Sequence, residues 1–286
     1  MANLSISRGK RLDHRVIELV PQLSRAYATR LIEDGKVTVN GKVATKGGQK
    51  LRPDDEVIVD YDVTELEQVP DIDLPVLYED NDCVVINKPI GVLSHGKGMF
   101  NAEATVASWL RMRIGDDFPG ERAGIVHRLD RATSGVMIGA KTPEALSWLQ
   151  KQFSQRKVKK TYFAVVRGHM PHDHAIIDMP IERNSKTPQF YRVGANGKTA
   201  MTEYWVRGQN DQYSLLELKP QTGRTHQLRV HLAHLGHPIL GDAIYGGSEA
   251  DRLYLHAESL EITLLSRERK TFKAELPSSF QDKISL

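Results

Sequence analysis

Asp130 lies between two arginines in the run Gly124-Ile125-Val126-His127-Arg128-Leu129-Asp130-Arg131-Ala132-Thr133-Ser134-Gly135, and the apolar stretch Val136-Met137-Ile138 comes directly after it. Polar side chains crowded ahead of an apolar stretch read as a loop at a sheet edge, where functional groups are often presented. Flanked by Arg128 and Arg131, the carboxylate would be held in its ionised form. Such a group can attack an electrophilic carbon or remove a proton. By residue type alone the segment fits a structural ion pair just as well. A second polar cluster, Thr222-Gly223-Arg224-Thr225-His226-Gln227-Leu228-Arg229-Val230-His231, offers Arg224 as a phosphate clamp, with Leu228 reading as ordinary core. Tyr162 heads the apolar run Phe163-Ala164-Val165-Val166 and could serve either chemistry or the core.

Two other chemistries fail on spacing. His226, His231, His234 and His237 form no H-E-x-x-H pattern and have no cysteine partners, so they do not read as metal ligands. Gly197-Lys198-Thr199 lacks the glycine that a phosphate-binding loop needs five positions earlier, where Arg192 stands. The adjoining run Met201-Thr202-Glu203-Tyr204-Trp205-Val206 reads as a strand where that loop requires a helix. The single cysteine, Cys83, excludes an internal disulfide and fits a reducing, cytoplasmic setting as a small buried residue. No run approaches the roughly 18 apolar residues that span a bilayer, and the N-terminus lacks the apolar core of a signal peptide.

Charge is unevenly distributed along the 286 residues. Residues 1–53 carry 11 Lys/Arg against 4 Asp/Glu, residues 54–82 carry 12 acidic side chains and no basic ones, and the remainder is again basic. Two basic blocks parted by an acidic one suggest two polyanion-facing surfaces joined by a solvated segment.

The elements that must position these groups fall into two sets. Leu12, Val16, Leu19 and Val20 mark one face of a helix over 10–22. A second helix is expected from the N-cap Ser24 to a left-handed stop at Gly35. Val37-Thr38-Val39, the Asn40-Gly41 turn and Lys42-Val43-Ala44 read as a hairpin, and Val57-Ile58-Val59 as a further strand. Residues 63–75, acidic and containing two prolines, read as a linker. Beyond it, strands are expected at 83–87, 135–140, 161–166, 202–206 and 213–218. Helices are expected at 102–112 and at 142–153, the latter with Thr142 as N-cap and Pro143 in first position. Strands outnumber helices without regular alternation, which predicts an α+β domain on a mixed, largely antiparallel sheet.

The run LSRAYATRLIEDGKVTVNGKV, together with the later LRPDDEVIV, resembles the S4 RNA-binding domain. That resemblance implies a small α+β RNA-binding unit over 1–62, with Arg11, Arg25, Arg30, Lys36 and Lys42 on its RNA side, where cations contact phosphate. HRLDRATSG resembles the H-R-L-D-x-x-T-S/T-G signature of RluA-type pseudouridine synthases. Asn87-Lys88-Pro89, Lys160-Thr161-Tyr162, Gly197-Lys198-Thr199-Ala200, the run 222–231, and Gly241-Asp242 with Tyr245-Gly246 match further motifs of that family in its order. The similarity covers nearly the whole chain after residue 76, and the RluD-like branch acting on large-subunit ribosomal RNA is the one most resembled.

The resemblance implies a cofactor-free isomerase acting on uridine in folded RNA, with residues 76–286 as the catalytic domain. It makes Asp130 the catalytic carboxylate, either nucleophile at C1′ or base at C2′. Arg224 is expected to pair with it, and Tyr162 to stack on the flipped uracil with its hydroxyl near the chemistry. Leu228 would wall the base pocket, Arg128 would fill the vacated stack or contact phosphate, and Lys160 and His127 complete the expected substrate-side set, His127 in a structural part. The expected partner is ribosomal RNA, or transfer RNA, met by a monomer that needs no membrane and no metal. The rival readings are a non-catalytic RNA-binding assembly factor on the same fold and a hydrolase using the histidines.

Overall fold

A computed structural model describes residues 9–20, 23, 25–60, 71–96, 103–114, 118 and 124–285. In the N-terminal part, helix α1 (Leu12–Leu19) and helix α2 (Arg25–Glu33) pack beside three antiparallel strands, β1 (Val37–Val39), β2 (Lys42–Val43) and β3 (Val57–Val59). The sheet order is β2-β1-β3. Asn40 and Gly41 both take positive φ, 52° and 75°, as a tight two-residue hairpin turn demands. Gly35 at φ 75° ends α2, as expected. Leu12, Val16, Ala28, Ile32 and Val37 close this unit's own core. The expected N-cap Ser24, and residues 63–70 of the expected linker, lie outside the described residues.

The larger part is built on a nine-stranded sheet among the described residues. Its strands are β4 (Val76–Glu79), β5 (Cys83–Lys88), β6 (Ser134–Ala140), β7 (Lys159–Arg167), β8 (His174–Asp178), β11 (Met201–Gln209), β12 (Tyr213–Pro220), β13 (Leu255–Thr263) and β14 (Arg269–Lys273). They run in the order β4-β5-β6-β13-β7-β12-β11-β8, with β14 also paired to β13. A separate two-stranded ribbon joins β9 (Ile181–Arg183) to β10 (Tyr191–Val193). Pairing is antiparallel throughout except between β6 and β13, so the fold is the expected α+β on a mixed, largely antiparallel sheet. That parallel junction is tight. Gly135 adopts φ 116°, and a Cβ there would stand 2.2 Å from the carbonyl oxygen of Ala257.

Among the described residues four helices serve this sheet. Helix α3 (Val106–Arg111) starts later than its sequence pattern suggested because Thr105 caps it. The Thr105 hydroxyl accepts the Ser108 N–H while the Ser108 hydroxyl accepts the Thr105 N–H. Residue 102, the expected start, lies outside the described residues. Helix α4 (Pro143–Ser154) has the expected Thr142 cap and Pro143. Helices α5 (Gln227–His234) and α6 (Ser278–Asp282) are not foreshadowed by any sequence pattern. Residues of α5 are buried nearly all round, from Gln227 to Leu232, which erases the polar stripe that reveals a helix in sequence. Among the described residues no helix is long and apolar enough to cross a membrane.

Candidate active site

Asp130 sits on the loop that leads into β6, and the loop is fastened on both sides of it. The buried Ser94 hydroxyl donates to Leu129 O at 2.6 Å and accepts Leu129 N–H at 3.0 Å, and the Leu129 side chain is itself buried. Thr133 N–H closes a turn onto Asp130 O at 3.0 Å. Behind the loop, the buried Lys88 ammonium donates to Pro89 O and Val92 O at 2.8 Å and reaches Arg131 O at 3.4 Å. Burial pushes the Lys88 pKa down to about 8, with the nearby charge of Asp130 opposing that shift and Arg131 adding to it.

A cavity of about 120 Å³ opens over Asp130. It brings together Asp130, Tyr162, Lys160, Arg128, Arg224 and Leu228, six of the residues singled out from sequence. Tyr162 comes from β7, and Leu228 from the first turn of α5. Burial, together with the Asp130 charge, raises the Tyr162 phenol well above its ordinary range. The ring therefore stays protonated in neutral solution and can donate a hydrogen bond, but it is not a phenolate base. Lys160, also on β7, donates to Thr222 O at 3.2 Å, and burial pushes its pKa down to about 8.

Two expectations about the charges around Asp130 need correction. Arg224 does not pair with it: it lines the cavity, but its Nε donates to Thr199 O at 2.9 Å. The guanidinium that faces Asp130 is that of Arg229, with Nη1 3.6 Å from Oδ2. Arg229 also grips the buried Asp242 through two parallel bonds, Nε to Oδ2 and Nη2 to Oδ1, both 2.7 Å. The cause is α5. The helix carries Arg229 inward, 5% exposed, while Arg224 stays in the loop before it. The flanking arginines do not enclose Asp130 either, since Arg131 is exposed and paired with Glu103, and Arg128 is exposed at the cavity rim.

His226 is the second group facing the carboxylate, with Nε2 3.8 Å from Oδ2. It takes a left-handed conformation, φ 56°, at the N-cap of α5, an uncommon geometry for a residue with a side chain. Its Nδ1 lies 2.8 Å from Tyr245 Oη, which accepts Tyr191 N–H at 3.1 Å. With that acceptor site filled, the Tyr245 hydroxyl donates to Nδ1, and the imidazole proton is assigned to Nε2, toward Asp130. Burial lowers the His226 pKa and Asp130 opposes, so the ring is neutral at pH 7.

His127 does not line this cavity. Its Nε2 accepts Ile138 N–H at 3.1 Å and its ring stacks on Phe153 at 4.6 Å, a role in holding the loop to β6. Burial brings its pKa down to about 3, with Lys160 adding to the shift. Arg229, His226, Asp242 and Tyr245 all lie within motifs visible in sequence. Their roles escaped the sequence because the burial of α5 is not legible there. Among the described residues no group of three or more His, Cys, Asp or Glu is placed to hold a metal ion.

In the N-terminal part, Arg11 and Arg25 both turn onto the buried carboxylate of Asp13, Nε to Oδ1 at 2.9 Å and Nε to Oδ2 at 3.0 Å. Arg11, and then Arg25, hold the Asp13 pKa down at about 2 against its burial. Arg30 lies 3.5 Å from Asp34, Lys36 lies 3.8 Å from Asp60, and Lys42 is exposed on the hairpin.

Comparison with known proteins agrees with this architecture. Residues 82–234 match the RNA pseudouridylate synthase family, and residues 10–57 match the S4 domain. An uncharacterized RNA pseudouridine synthase of Aquifex aeolicus is 40% identical over 244 residues, 83% of this chain and 77% of that protein. The ribosomal large subunit pseudouridine synthase D of Escherichia coli K12 is 37% identical over 272 residues, 89% of this chain and 83% of that protein. The structure of human RNA pseudouridylate synthase domain containing 1 superimposes with a TM-score of 0.60 at 32% identity, covering 72% of this chain and 84% of that one.

Proposed function

The chain belongs to the RNA pseudouridylate synthase family, and from that premise we propose that it isomerises particular uridines of large-subunit ribosomal RNA with Asp130 as its catalytic carboxylate. The observation that carries the assignment is the cavity itself. One carboxylate there meets a guanidinium shared with Asp242, and an aromatic ring and an apolar side chain line the same cavity.

The reaction breaks the bond from N1 to C1′, turns the uracil, and joins C5 to C1′. The C5 proton leaves to solvent, and N1 ends protonated. Neither C1′ nor the base faces are reachable inside a helix, so the uridine must first be flipped out. Asp130 then acts on the sugar, as nucleophile at C1′ or as base at C2′. Arg229 and the Nε2–H of His226 share one oxygen, Oδ2, which leaves Oδ1 for the substrate. In this proposal Tyr162 and Leu228 hold the detached uracil while it turns, and Lys160 and Arg128 bind the polar parts of the nucleotide. Arg224 closes the mouth as a substrate clamp and does not orient the acid.

The ribosomal target is supported by the similarity to synthase D proteins of the large subunit over most of the chain. Residues 1–62 serve in this reading as an RNA-binding domain, tied by 63–75 to a catalytic domain over 76–286, in a monomer that works in the cytoplasm. A non-catalytic assembly factor would have no use for the carboxylate, ring and guanidinium gathered in one cavity. The deciding experiment is tritium release from unmodified large-subunit ribosomal RNA carrying 5-[³H]uridine, comparing the native protein with Asp130→Asn. Release by the native protein alone supports the reading, and no release under conditions of demonstrated binding overturns it.

A further inference from the structure

A second opening adjoins the catalytic cavity and shares Arg128, Lys160, Tyr162 and Arg224 with it. It is a groove of about 530 Å³ that reaches the C-terminal end of α4, where Arg156 lines it. Arg128, Arg156, Lys160 and Arg224 all line it, and no carboxylate does. The cavity has Asp130 to balance its cations, whereas the groove has nothing of opposite charge.

Arg156, like Arg267, is an arginine held at positive φ. It adopts φ 57° at the position just past the end of α4. Its N–H donates to Phe153 O at 3.0 Å, and Lys157 N–H donates to Gln152 O at 3.0 Å, the paired bonds that close a helix through one left-handed residue. Glycine is the ordinary occupant of that place, because a Cβ there is strained. Here a long cation occupies it. Among the described residues the Arg156 side chain makes no ion pair and no hydrogen bond, so no side-chain contact accounts for an arginine at a place that glycine fills without strain. The half-buried Lys160 ammonium points the same way, since among the described residues it donates to the Thr222 carbonyl and pairs with no carboxylate.

We propose that this groove is a phosphodiester subsite, which holds the backbone phosphate of the nucleotide next to the target uridine between Arg156 and Arg224. The inference rests on the uridine reading of the cavity. It goes beyond that reading by assigning a fixed path to the strand on one side of the flipped base. Arg224 has its Nε tied to Thr199 O, which leaves the far end of the guanidinium for a phosphate oxygen. Lys160 stands where groove and cavity meet and faces both. A flipped nucleotide is thereby gripped at base and backbone together, which fixes C1′ over Asp130.

Arg156→Gly tests this directly, because glycine relieves the strain while it removes the charge. Lys151→Ala, an exposed cation on the same helix outside the groove, controls for a general effect of charge. The probe is an unmodified large-subunit ribosomal RNA transcript carrying 5-[³H]uridine, with binding measured across salt concentrations and tritium release measured alongside. Arg156→Gly should melt at or above the native temperature and bind about 10-fold more weakly at low salt. The slope of log affinity against log salt should be shallower by about 0.7, the value for one phosphate contact on a single strand. Arg156→Lys should recover most of the loss, and Lys151→Ala should match the native protein. Native binding and slope in Arg156→Gly, or an equal loss in Lys151→Ala, overturns the subsite while native tritium release leaves the uridine reading standing. Absence of release from the native protein is the separate result that overturns the uridine reading and this proposal together.

Discussion

Arg229, and not Arg224, presents its guanidinium to Asp130, at 3.6 Å, while holding Asp242 bidentately at 2.7 Å. One cation thus serves two carboxylates, and its fork is already committed to the deeper one. The bidentate pair fixes the plane of the guanidinium, and the plane fixes where Nη1 points. Asp242 is therefore a positioning residue for the charge that Asp130 meets.

This arrangement separates the two arginines experimentally. Arg229→Lys retains a charge but lacks a fork that can hold Asp242 and reach Asp130 together. Its kcat should fall by roughly 10²-fold, the scale of one lost charge-assisted contact of about 2–3 kcal/mol. Arg229→Ala should also lower stability by about 3–5 kcal/mol, because the buried Asp242 would lose its counter-charge and keep only the N–H groups of Ile244 and Tyr245. For Arg224→Ala the loss should fall mainly on KM, since that side chain lines the cavity without pairing with Asp130. If the two single variants showed the same kcat and KM pattern, the division of labour between them would be wrong.

Asp130→Asn should fold as the native protein does, since the bonds that fasten its loop do not use the carboxylate and Arg229 keeps Asp242. The loop is held through Ser94, Lys88 and the Thr133 turn, all of which bond backbone atoms. The variant should bind RNA with native affinity and release no tritium. A melting temperature several degrees below native would show instead that the carboxylate is part of a structural ion pair.

Much of this organisation was legible because local chemistry enforces it. Asn40-Gly41 announces a hairpin since few residue pairs tolerate two positive φ values in succession, and Thr142-Pro143 announces a helix start for a similar steric reason. The elements that escaped depend on tertiary surroundings. In β13 the burial runs Leu255 to Ala257 without alternation, because the strand lies inside the sheet between β6 and β7. Helix α5 escaped for the same reason in helical form, and with it the inward aim of Arg229. The motif containing Arg224 and Arg229 was readable as a motif. Which of its two arginines faces the carboxylate was decided by where the helix begins.

Acid should destabilise the protein through its buried imidazoles. His127 has its pKa lowered to about 3, against an ordinary value of 6.5, so between those pH values the unfolded chain binds a proton that the folded one refuses. Stability is unaffected by this group above pH 6.5 and falls as pH drops from 6.5 toward 3, by about 1.4 kcal/mol per pH unit at most. Burial also lowers the pKa values of His226, His231 and His256, so the loss should be steeper than one proton accounts for. Urea midpoints taken between about pH 7 and about pH 4 should show this decline, and His127→Asn should flatten it. A pH-independent midpoint over that range would contradict the assignment of a neutral, desolvated His127.

The cations expected to meet RNA in the N-terminal part should divide into two classes. Arg11 and Arg25 converge on Asp13, whose carboxyl is nearly inaccessible and held down at about pKa 2. Removing either guanidinium leaves that charge with one cation and the His14 N–H, so Arg11→Ala and Arg25→Ala should lower the melting temperature as well as weaken RNA binding. Arg30, Lys36 and Lys42 are exposed, and two of them have only loose carboxylate neighbours at 3.5 and 3.8 Å, contacts worth little in water. Alanine at those three together should leave the melting temperature close to native and make the salt slope of RNA binding shallower by about 2, as expected for three phosphate contacts. Calorimetry paired with binding across salt concentrations separates the outcomes. An unchanged slope in the triple variant would mean that this face does not meet RNA, and would move the weight of binding onto the catalytic domain.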